Sequence, residues 1–514
     1  MREIGELERA ARSPAASARV LKLLAALDRA IIRDGQLLAR FHDALLFCCA
    51  YPASREILRR AESILKRFKR RVEMLDDADP LMDPEVSGIA GTSVDVIFSY
   101  DFARWLHDRF PKQLEIDWDD PPDPDRLATA ITPHIPILWE EASVDANVQF
   151  LDYLRAAGAL GRDKGLSWLL THLTQPLYDS LGIWIRWALR NSPVTRTLLR
   201  RRPPKIFFQT TPLLSRRDVS IDRELTGPKL PVRRLSRREG EEVLDMARAA
   251  LAVRYREVYS FTYGDPSTVV SADCGRGVEI LLVGIVPEKR LPIRAGFAPF
   301  ILRNGVPIGY ADAFGICDRM EISFNIFYAF RDGESAFCFA RLLKLYHQLF
   351  GSTTFSLDAY QVGLGNAEAI EAGAYWFYRK LGFRSTDANV ERIARREEQR
   401  IAESPRYRTS ARILRTLAGS RMIYGAQEWE RFHVRNIATK MARRHVSNMF
   451  DLISDLPRAE VREILAAKRG RDEGDYLRFT AKNGRGRDAF IRLGGPGRKS
   501  HHSAKPAPKI PTTL

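Results

Sequence analysis

The sequence predicts an α/β protein of the α+β type, in which a mixed, mainly antiparallel sheet flanked by helices follows a mostly helical N-terminal domain. Two patterns predict this class. Apolar residues recur at helical spacing through residues 1–193, whereas alternating strand patterns separated by turns dominate residues 230–385. The length of 514 residues exceeds one ordinary hydrophobic core, so separate domains are expected.

Amphipathic helices are predicted throughout the N-terminal domain. Ala16–Arg33 and Ser54–Leu75 each place their apolar residues on one stripe. Leu166–Leu189 is also expected to be helical and is rich in aromatic residues. Such stripes are typical of packed helices, and no motif assigns this domain a role.

The basic charge of the chain is concentrated in two segments. Residues 196–238 carry a net charge of +10 and residues 482–514 one of +7, which accounts for the total of +17. The first overlaps a basic linker expected over residues 194–229, and the second is a tail expected to be disordered. Nucleic-acid binding through linker and tail is therefore an alternative that is not favoured, because the charge marks no folded groove.

Composition favours a soluble, cytoplasmic protein. The five cysteines form no C-x-x-C pair, as expected for free thiols in a reducing compartment. The chain shows no signal-peptide pattern and no apolar run of about 18 residues, so no transmembrane segment is expected. Nothing in the sequence selects an oligomeric state.

No metal site is expected. Several aspartates lie between Asp117 and Asp125, but the prolines among them and the absence of EF-hand spacing favour a solvated loop. His107, His134 and His172 stand alone, and none has a second ligand at i, i+4.

The second domain is expected to begin with a strand over Leu230–Leu235 and a helix over Arg237–Arg254. Asn304-Gly305 is a strong signal for a type I′ turn between two strands of a hairpin. An antiparallel meander follows. Its predicted strands are Val278–Val286, Gly296–Leu302, Val306–Phe314 and Glu321–Phe327.

A turn then leads into a helix over Phe337–Phe350 and reads Arg331-Asp332-Gly333-Glu334-Ser335-Ala336. The first N–H groups of a helix lack intrahelical acceptors and lie at the positive end of its dipole. Gly333, Ser335 and Ala336 are small enough to let a phosphate approach this backbone, and Arg331 adds a charged fork. The turn is therefore a predicted anion site.

A second strand and helix come after the turn. The strand is predicted over Thr353–Gln361, and Asn366 is expected to cap the next helix. That helix closes with Tyr378-Arg379-Lys380-Leu381-Gly382-Phe383, in which Gly382 stops the helix and an apolar residue follows.

The order of strand, turn, helix, strand and Asn-capped helix ending in Tyr-x-Lys-Leu-Gly-Phe resembles the GCN5-related N-acetyltransferase (GNAT) family, over residues 230–385. The resemblance implies that the chain binds acetyl-CoA or another acyl-CoA and transfers the acyl group directly to an amine. The implied residues are Arg331, Gly333, Glu334, Ser335 and Ala336 for the pyrophosphate, Asn366 near the pantetheine arm, Tyr378 as the acid for the departing thiolate, and Phe327 and Tyr328 as backbone donors near the acyl carbonyl.

A base for the attacking amine is expected on the outward face of the strand Glu321–Phe327. Glu321 is the candidate, with Asp312 on the preceding strand as the alternative. A strand-end carboxylate also pairs readily with a neighbouring arginine, here Arg319 or Arg303, and this structural role for Glu321 stays open.

The predicted site includes two more side chains, and Tyr378 also has an alternative role. Tyr360 and Gln361, at the end of the second strand, are placed to line the acceptor pocket. Tyr378 has an alternative role as one more aromatic residue of a helix that packs on the sheet.

Two functions follow from the resemblance. The first is an acyl-CoA-dependent N-acyltransferase whose acceptor amine the sequence does not identify. The second is a non-catalytic protein that keeps the fold and uses its cleft to hold a partner. The turn favours the second, because aligning on Gly333 puts Phe330 where the family has Gln or Arg, and Ser335 where it has Gly or Ala.

A helical C-terminal extension is expected over residues 386–481. Asn389–Ala402 and Thr409–Leu417 are charged helices by their spacing. The two strands with which the family's sheet usually ends are not evident there.

Overall fold

The structure is a computed structural model that describes residues 2–137, 144–190, 192–289, 295–316, 319–404 and 406–425. Most of the extension expected over residues 386–481, and the whole tail expected over residues 482–514, lie outside the described residues. The chain divides into two compact units. The first consists of Met1–Arg202, Phe208–Thr210 and Asp245–Thr262, and the second of Pro203–Phe207, Thr211–Leu244 and Tyr263–Leu514.

The first part of the segment 194–229 is not the solvated linker that its charge suggests. Thr195, Arg196 and Thr197 are buried in the first unit. There the Arg196 guanidinium donates to the Asp43 carboxylate at 3.1 Å, and the Thr197 hydroxyl oxygen accepts from the Ala90 N–H at 2.9 Å. Because a paired arginine tolerates burial, basic composition alone does not make a segment exposed.

The first unit is mostly helical and contains one small antiparallel sheet. Its strands are β1 (Ser93–Ile97), β2 (Leu114–Ile116) and β3 (Trp184–Ala188), in the order β1-β3-β2. Its α-helices are Arg2–Ala10, Ser17–Arg29, Gly35–Ala50, Arg55–Lys66, Lys69–Val72, Tyr100–Arg109, Pro124–Ile131, Phe150–Ala156, Leu166–His172, Gln175–Leu181 and Tyr259–Thr262.

The prediction of a continuous helix over Leu166–Leu189 is wrong in its last part. Gly182 adopts a left-handed conformation, with φ of 62°, and ends the helix before it. In β3, Ile185 and Trp187 are buried and alternate with partly exposed residues. Aromatic residues occur in strands as well as in helices, so their presence does not distinguish the two. The position of Gly182 determines where the helix ends and allows a strand to follow.

The second unit is built on a nine-stranded sheet in the order β11-β12-β10-β9-β8-β7-β6-β5-β4. Its α-helices are Ile221–Thr226, the first part of Arg237–Ala252, Ser335–Phe350, Ala359–Val362, Ala367–Glu371, Ala374–Arg379, Ala388–Glu403 and Ala411–Leu417. The strands are β4 (Val232–Arg234), β5 (Gly264–Asp273), β6 (Val278–Ile285), β7 (Ala295–Arg303), β8 (Val306–Ile316), β9 (Arg319–Ile326), β10 (Thr354–Leu357), β11 (Arg384–Ser385) and β12 (Met422–Tyr424).

The predicted meander is present, and all its strand pairs are antiparallel. Asn304 and Gly305 have φ of 48° and 76°, the two positive values that a type I′ turn requires. The helix Ser335–Phe350 then crosses from β9 to β10, which pair in parallel. Two neighbouring strands that are connected through a helix run in the same direction.

The sheet does not end near residue 385. The helices Ala388–Glu403 and Ala411–Leu417 agree with the predicted spans, but they lie in the chain between β11 and β12. β12 pairs with both β10 and β11 and so belongs to the central sheet. Strands of two and three residues are too short for alternation to reveal them.

Gly240 tests how tightly the helix Arg237–Ala252 packs on β5. A Cβ atom at this position would lie 2.0 Å from the Pro266 carbonyl oxygen. We expect Gly240→Ala to lower the free energy of unfolding by about 1–3 kcal/mol. Gly5, in another helix, leaves 3.6 Å to the nearest atom, so Gly5→Ala is expected to be neutral or stabilising by about 1 kcal/mol. Urea unfolding of both variants checks this, and equal effects would contradict the packing.

Some features are absent from the described part of the chain. No helix there is long and apolar enough to cross a bilayer. No group of three or more His, Cys, Asp or Glu side chains suited to a metal ion is found in the same ranges. Buried free thiols are present at Cys48, Cys49, Cys274 and Cys338, and Cys317 lies outside the described residues.

Candidate functional site

The candidate site lies where β9 and β10 part. The two strands pair only over Arg319 to Glu321 on β9 and Thr354 to Ser356 on β10. Beyond Glu321, β9 continues to Ile326 beside β8, while no described strand pairs with its other edge. An unpaired edge offers backbone N–H and C=O groups to an extended ligand.

Alternation along β9 fixes which backbone groups face this gap. The Phe327 N–H donates to the Ile308 carbonyl at 2.9 Å, toward β8. Phe327 is therefore not the free backbone donor that the resemblance implies. The N–H and C=O of one strand residue point to the same side, so Phe324, three residues earlier, directs both toward the gap. Its carbonyl oxygen accepts there from Gln361 Nε2 at 2.8 Å.

Tyr378 brings a hydroxyl group to the same place. Its oxygen accepts from Gln361 Nε2 at 2.9 Å, and its ring packs against Phe339 with 5.3 Å between centroids. Burial raises the pKa of Tyr378, and the hydrogen bond from Gln361 offsets only part of that rise. The residue thus packs on the sheet and also keeps a protonated hydroxyl at the gap.

Gln361 reaches into the gap, whereas its neighbour in the predicted acceptor pocket does not. Tyr360 is 60% exposed. The amide group of Gln361 bridges the Phe324 carbonyl and the Tyr378 hydroxyl. This bridge occupies the place that a ligand amide would take along the edge of β9.

The start of the helix Ser335–Phe350 provides part of the predicted anion site. The N–H groups of Ser335, Ala336 and Phe337 have no acceptor among the described residues. The Gly333 N–H, by contrast, already donates to the Phe330 carbonyl at 2.9 Å. The amides of Ser335 and Ala336 thus lack a described acceptor, as does that of Phe337, whereas the amide of Gly333 is already bonded.

Arg331 is not the free fork that its position suggests. Its guanidinium pairs with the Glu368 carboxylate, donates to the Ile326 carbonyl at 3.2 Å and lies 3.7 Å from the ring centre of Tyr328. Glu368 belongs to the short helix that Asn366 caps, as predicted, by accepting from the Ala369 N–H at 3.1 Å. Arg331 and Asn366 therefore make structural contacts within the protein: Arg331 links β9 to the short helix, and Asn366 caps that helix.

Glu334 turns inward and anchors the turn to the sheet. Its side chain is fully buried, and its carboxylate pairs with Arg276 and, at 2.5 Å, with Arg303. It also accepts from the Leu214 N–H at 2.9 Å. Burial opposes its ionisation, but the hydrogen bond from Arg276 and the charge of Arg303 outweigh burial and lower the pKa of Glu334. No local pattern predicts partners so distant in sequence.

The outward face of β9 carries the predicted base. Arg319 Nη2 lies 3.5 Å from the Glu321 carboxylate, so the predicted ion pair is formed. Asp312, on β8, stands opposite Ser323 on the same face. Asn325, which sequence reasoning missed, follows on this face, and its buried amide oxygen has no hydrogen-bond partner among the residues that the structure describes. An amine N–H is a suitable donor for that oxygen.

No protein-family model matches the chain, and neither the curated proteins nor the solved structures contain a significant match to it.

Proposed function

We propose that this protein is an acyl-CoA-dependent N-acyltransferase, with acetyl-CoA as the expected donor and a GNAT-like fold in its second unit. One observation carries the proposal. The Tyr378 hydroxyl and the backbone of Phe324 meet at the open edge of β9, joined by one side chain amide. A thioester arm extended along that edge brings its acyl carbonyl to a backbone donor and its sulfur to a hydroxyl.

The order of elements supports the proposal. β9, the turn, the helix Ser335–Phe350 and the parallel strand β10 are followed by the Asn366-capped helix and the Tyr378 helix. β11 and β12 then complete the sheet. The resemblance to the GNAT family rests on the same order, except that two helices, Ala367–Glu371 and Ala374–Arg379, stand where the sequence predicts one.

The start of the helix Ser335–Phe350 suits the pyrophosphate of acyl-CoA. Three consecutive N–H groups, from Ser335 to Phe337, lack a described acceptor at the positive end of a helix of 16 residues. Glu334 next to them is neutralised by Arg276 and Arg303, so its charge does not repel an anion. The fit is to a diphosphate held through backbone amides.

Gln361 has a defined part in binding. A pantetheine amide N–H along β9 would take over the Phe324 carbonyl that Gln361 now occupies. Binding then requires the Gln361 side chain to rotate away, which also leaves the Tyr378 hydroxyl without its present donor. The ligand amide restores the hydrogen bond to the Phe324 carbonyl, and the Tyr378 hydroxyl is released to face the thioester sulfur.

In the reaction, the neutral amine attacks the thioester carbonyl carbon, and its C–N bond forms as the C–S bond breaks. The Phe324 N–H stabilises the oxyanion in place of the predicted Phe327 donor. Tyr378 donates a hydrogen bond to the sulfur as charge develops there. Glu321, with Asp312 as the alternative, receives the proton that the amine releases.

A non-catalytic protein of the same fold is the second candidate. The Gln361 side chain occupies the gap by bonding the Phe324 carbonyl. Arg331, at the turn, already pairs with Glu368. A protein that never admits a thioester arm would keep both contacts permanently.

Calorimetric titration with acetyl-CoA separates the two candidates. Wild-type protein is expected to bind, and Ser335→Glu is expected to weaken binding at least tenfold, because it places a carboxylate beside the anion-binding amides. Ser63→Glu is the matched control, since it adds the same charge to an exposed helix position in the first unit. Absence of binding by folded wild-type protein would leave the non-catalytic candidate.

A further inference from the structure

The first unit has an open cavity of about 240 Å³ at the end of the helix Ser17–Arg29. Among the residues that line it, Ile32 and Ile64 are buried, whereas Ile31 and Met74 are 59% and 49% exposed. Large apolar side chains that are exposed beside a buried apolar surface are typical of binding sites. Sites for whole small molecules are larger, at about 300–1,000 Å³, so this cavity suits one side chain of a partner.

The same cavity carries an excess of positive charge. The charged residues in its lining give a net charge of +3, and they are Asp28, Arg29, Arg67, Arg70 and Arg71. The Asp28 carboxylate already accepts from Arg67 at 3.3 Å and from Arg71 at 3.4 Å. Arg29 and Arg70 are exposed, and their guanidinium groups form no ion pair within the part of the chain that the structure describes. A cavity of this charge attracts an anionic partner.

The acidic residues closest to Met74 in sequence do not cancel this charge, because both are already paired. The Glu73 carboxylate lies 2.9 Å from Arg190. The Asp76 carboxylate lies 3.3 Å from Arg33. Neither pair includes Arg29 or Arg70.

A stretch of unbonded backbone borders the cavity. Residues 30–34 connect two helices without forming a helix or a strand, and Ala30 and Asp34 at its ends have extended backbone angles. Arg71 donates to the Ala30 carbonyl at 2.9 Å and so holds the stretch in place. Among the described residues, no backbone hydrogen bond involves residues 31–33. Extended backbone with unbonded N–H and C=O groups can pair with an extended segment of another chain.

We propose that this cavity, here called the arginine-lined groove, docks an acidic segment of a partner protein in an extended conformation. The segment pairs its backbone with residues 31–33 and packs one apolar side chain against Ile32 and Ile64, while its carboxylates face Arg29 and Arg70. An anionic membrane surface would satisfy the arginines but offers no peptide backbone to residues 31–33, so these residues favour a peptide. The inference is independent of the proposed acyltransferase function, because the groove lies in the first unit.

The test uses a fluorescein-labelled peptide of sequence DDDLDDD, titrated with the full chain and followed by fluorescence polarisation at about 0.15 M salt, where distant charges are screened. Wild-type protein is expected to bind this peptide at least tenfold more tightly than DDDSDDD, which lacks the apolar side chain. N-methylation of the leucine amide and of the amides beside it is expected to weaken binding about tenfold or more, because it removes backbone donors.

Charge reversal assigns the binding to the groove. The double variant Arg29→Glu/Arg70→Glu changes two exposed side chains and is expected to bind DDDLDDD at least tenfold more weakly. Arg55→Glu/Arg59→Glu is the matched control, since it makes the same change of charge at two exposed positions of a helix in the same unit that do not line the groove. The control is expected to keep the affinity within about threefold.

Failure of wild-type protein to bind DDDLDDD at concentrations up to about 1 mM overturns the inference and leaves the acyltransferase proposal standing. Equal affinity for DDDLDDD and DDDSDDD overturns the apolar contact, because charge alone would then account for binding. Binding that survives in Arg29→Glu/Arg70→Glu overturns the assignment to the groove. Binding to phosphatidylserine vesicles without binding to the peptide overturns the peptide partner and assigns the surface to lipid.

Discussion

Replacing Tyr378 with phenylalanine is expected to lower kcat about 100-fold while changing the affinity for acetyl-CoA less than threefold. The hydroxyl is the group positioned to stabilise the departing thiolate, and the ring contacts with Phe339 and Phe383 remain in the variant. Because burial keeps the pKa of Tyr378 above that of a thiol, the hydroxyl acts mainly by donating a hydrogen bond. Thiol release from acetyl-CoA, with the best amine found in a panel of primary amines, measures the rate.

Tyr375→Phe is the matched control for this experiment. Tyr375 lies on the same helix and is equally buried, but Gln361 at the gap bonds the hydroxyl of Tyr378 and not that of Tyr375. Its loss is expected to leave kcat within about twofold of the wild-type value. An unchanged rate in Tyr378→Phe would show that Tyr378 only packs on the sheet, and a loss in both variants would point to disturbed packing of the helix.

The elements with strong local signals could be predicted from the sequence. Asn304-Gly305 requires two positive φ values, and the structure has them. Asn366 caps a helix through its own side chain. The alternation of the strand predicted over Glu321–Phe327 placed Glu321 on its outward face, and the register with β8 agrees. In each case the determining interaction lies within a few residues along the chain.

The parts that the sequence could not predict depend on distant partners. Glu334 is buried because Arg276 and Arg303 meet it from two hairpins. The Arg331 guanidinium is not free to bind a phosphate, because it already pairs with the carboxylate of Glu368 in a later helix. Gln361 finds the Phe324 carbonyl only because β9 and β10 diverge. The pairing of these charged groups is set by residues far away in the sequence, so local patterns do not predict it.

Replacing Glu334 with glutamine is expected to lower the stability of the second unit by about 3–5 kcal/mol. The amide keeps the shape of the side chain but removes the charge, so Arg303, whose side chain is fully buried, and Arg276 lose their shared anion. Hydrogen exchange of peptides from β7 and β8 under increasing urea reports this unit without interference from the first.

The effect of Glu334→Gln has a defined pH dependence. A carboxyl group whose pKa is lowered by folding contributes stability above the ordinary glutamate range and loses that contribution as pH falls through its lowered pKa. The difference between wild type and variant is thus expected to be complete near neutral pH and to shrink once the pH falls below about 4.

Glu241→Gln is the control that separates a buried pair from an exposed one. Glu241 pairs with Arg237 at 3.2 Å on a helix surface, where both side chains are at least half exposed. Its substitution is expected to change stability by less than about 0.5 kcal/mol, because water and salt screen such pairs. Equal effects of the two substitutions would mean that solvent reaches Glu334. The turn would then lack a rigid anchor, and the three helix amides would not be preorganised to receive a diphosphate.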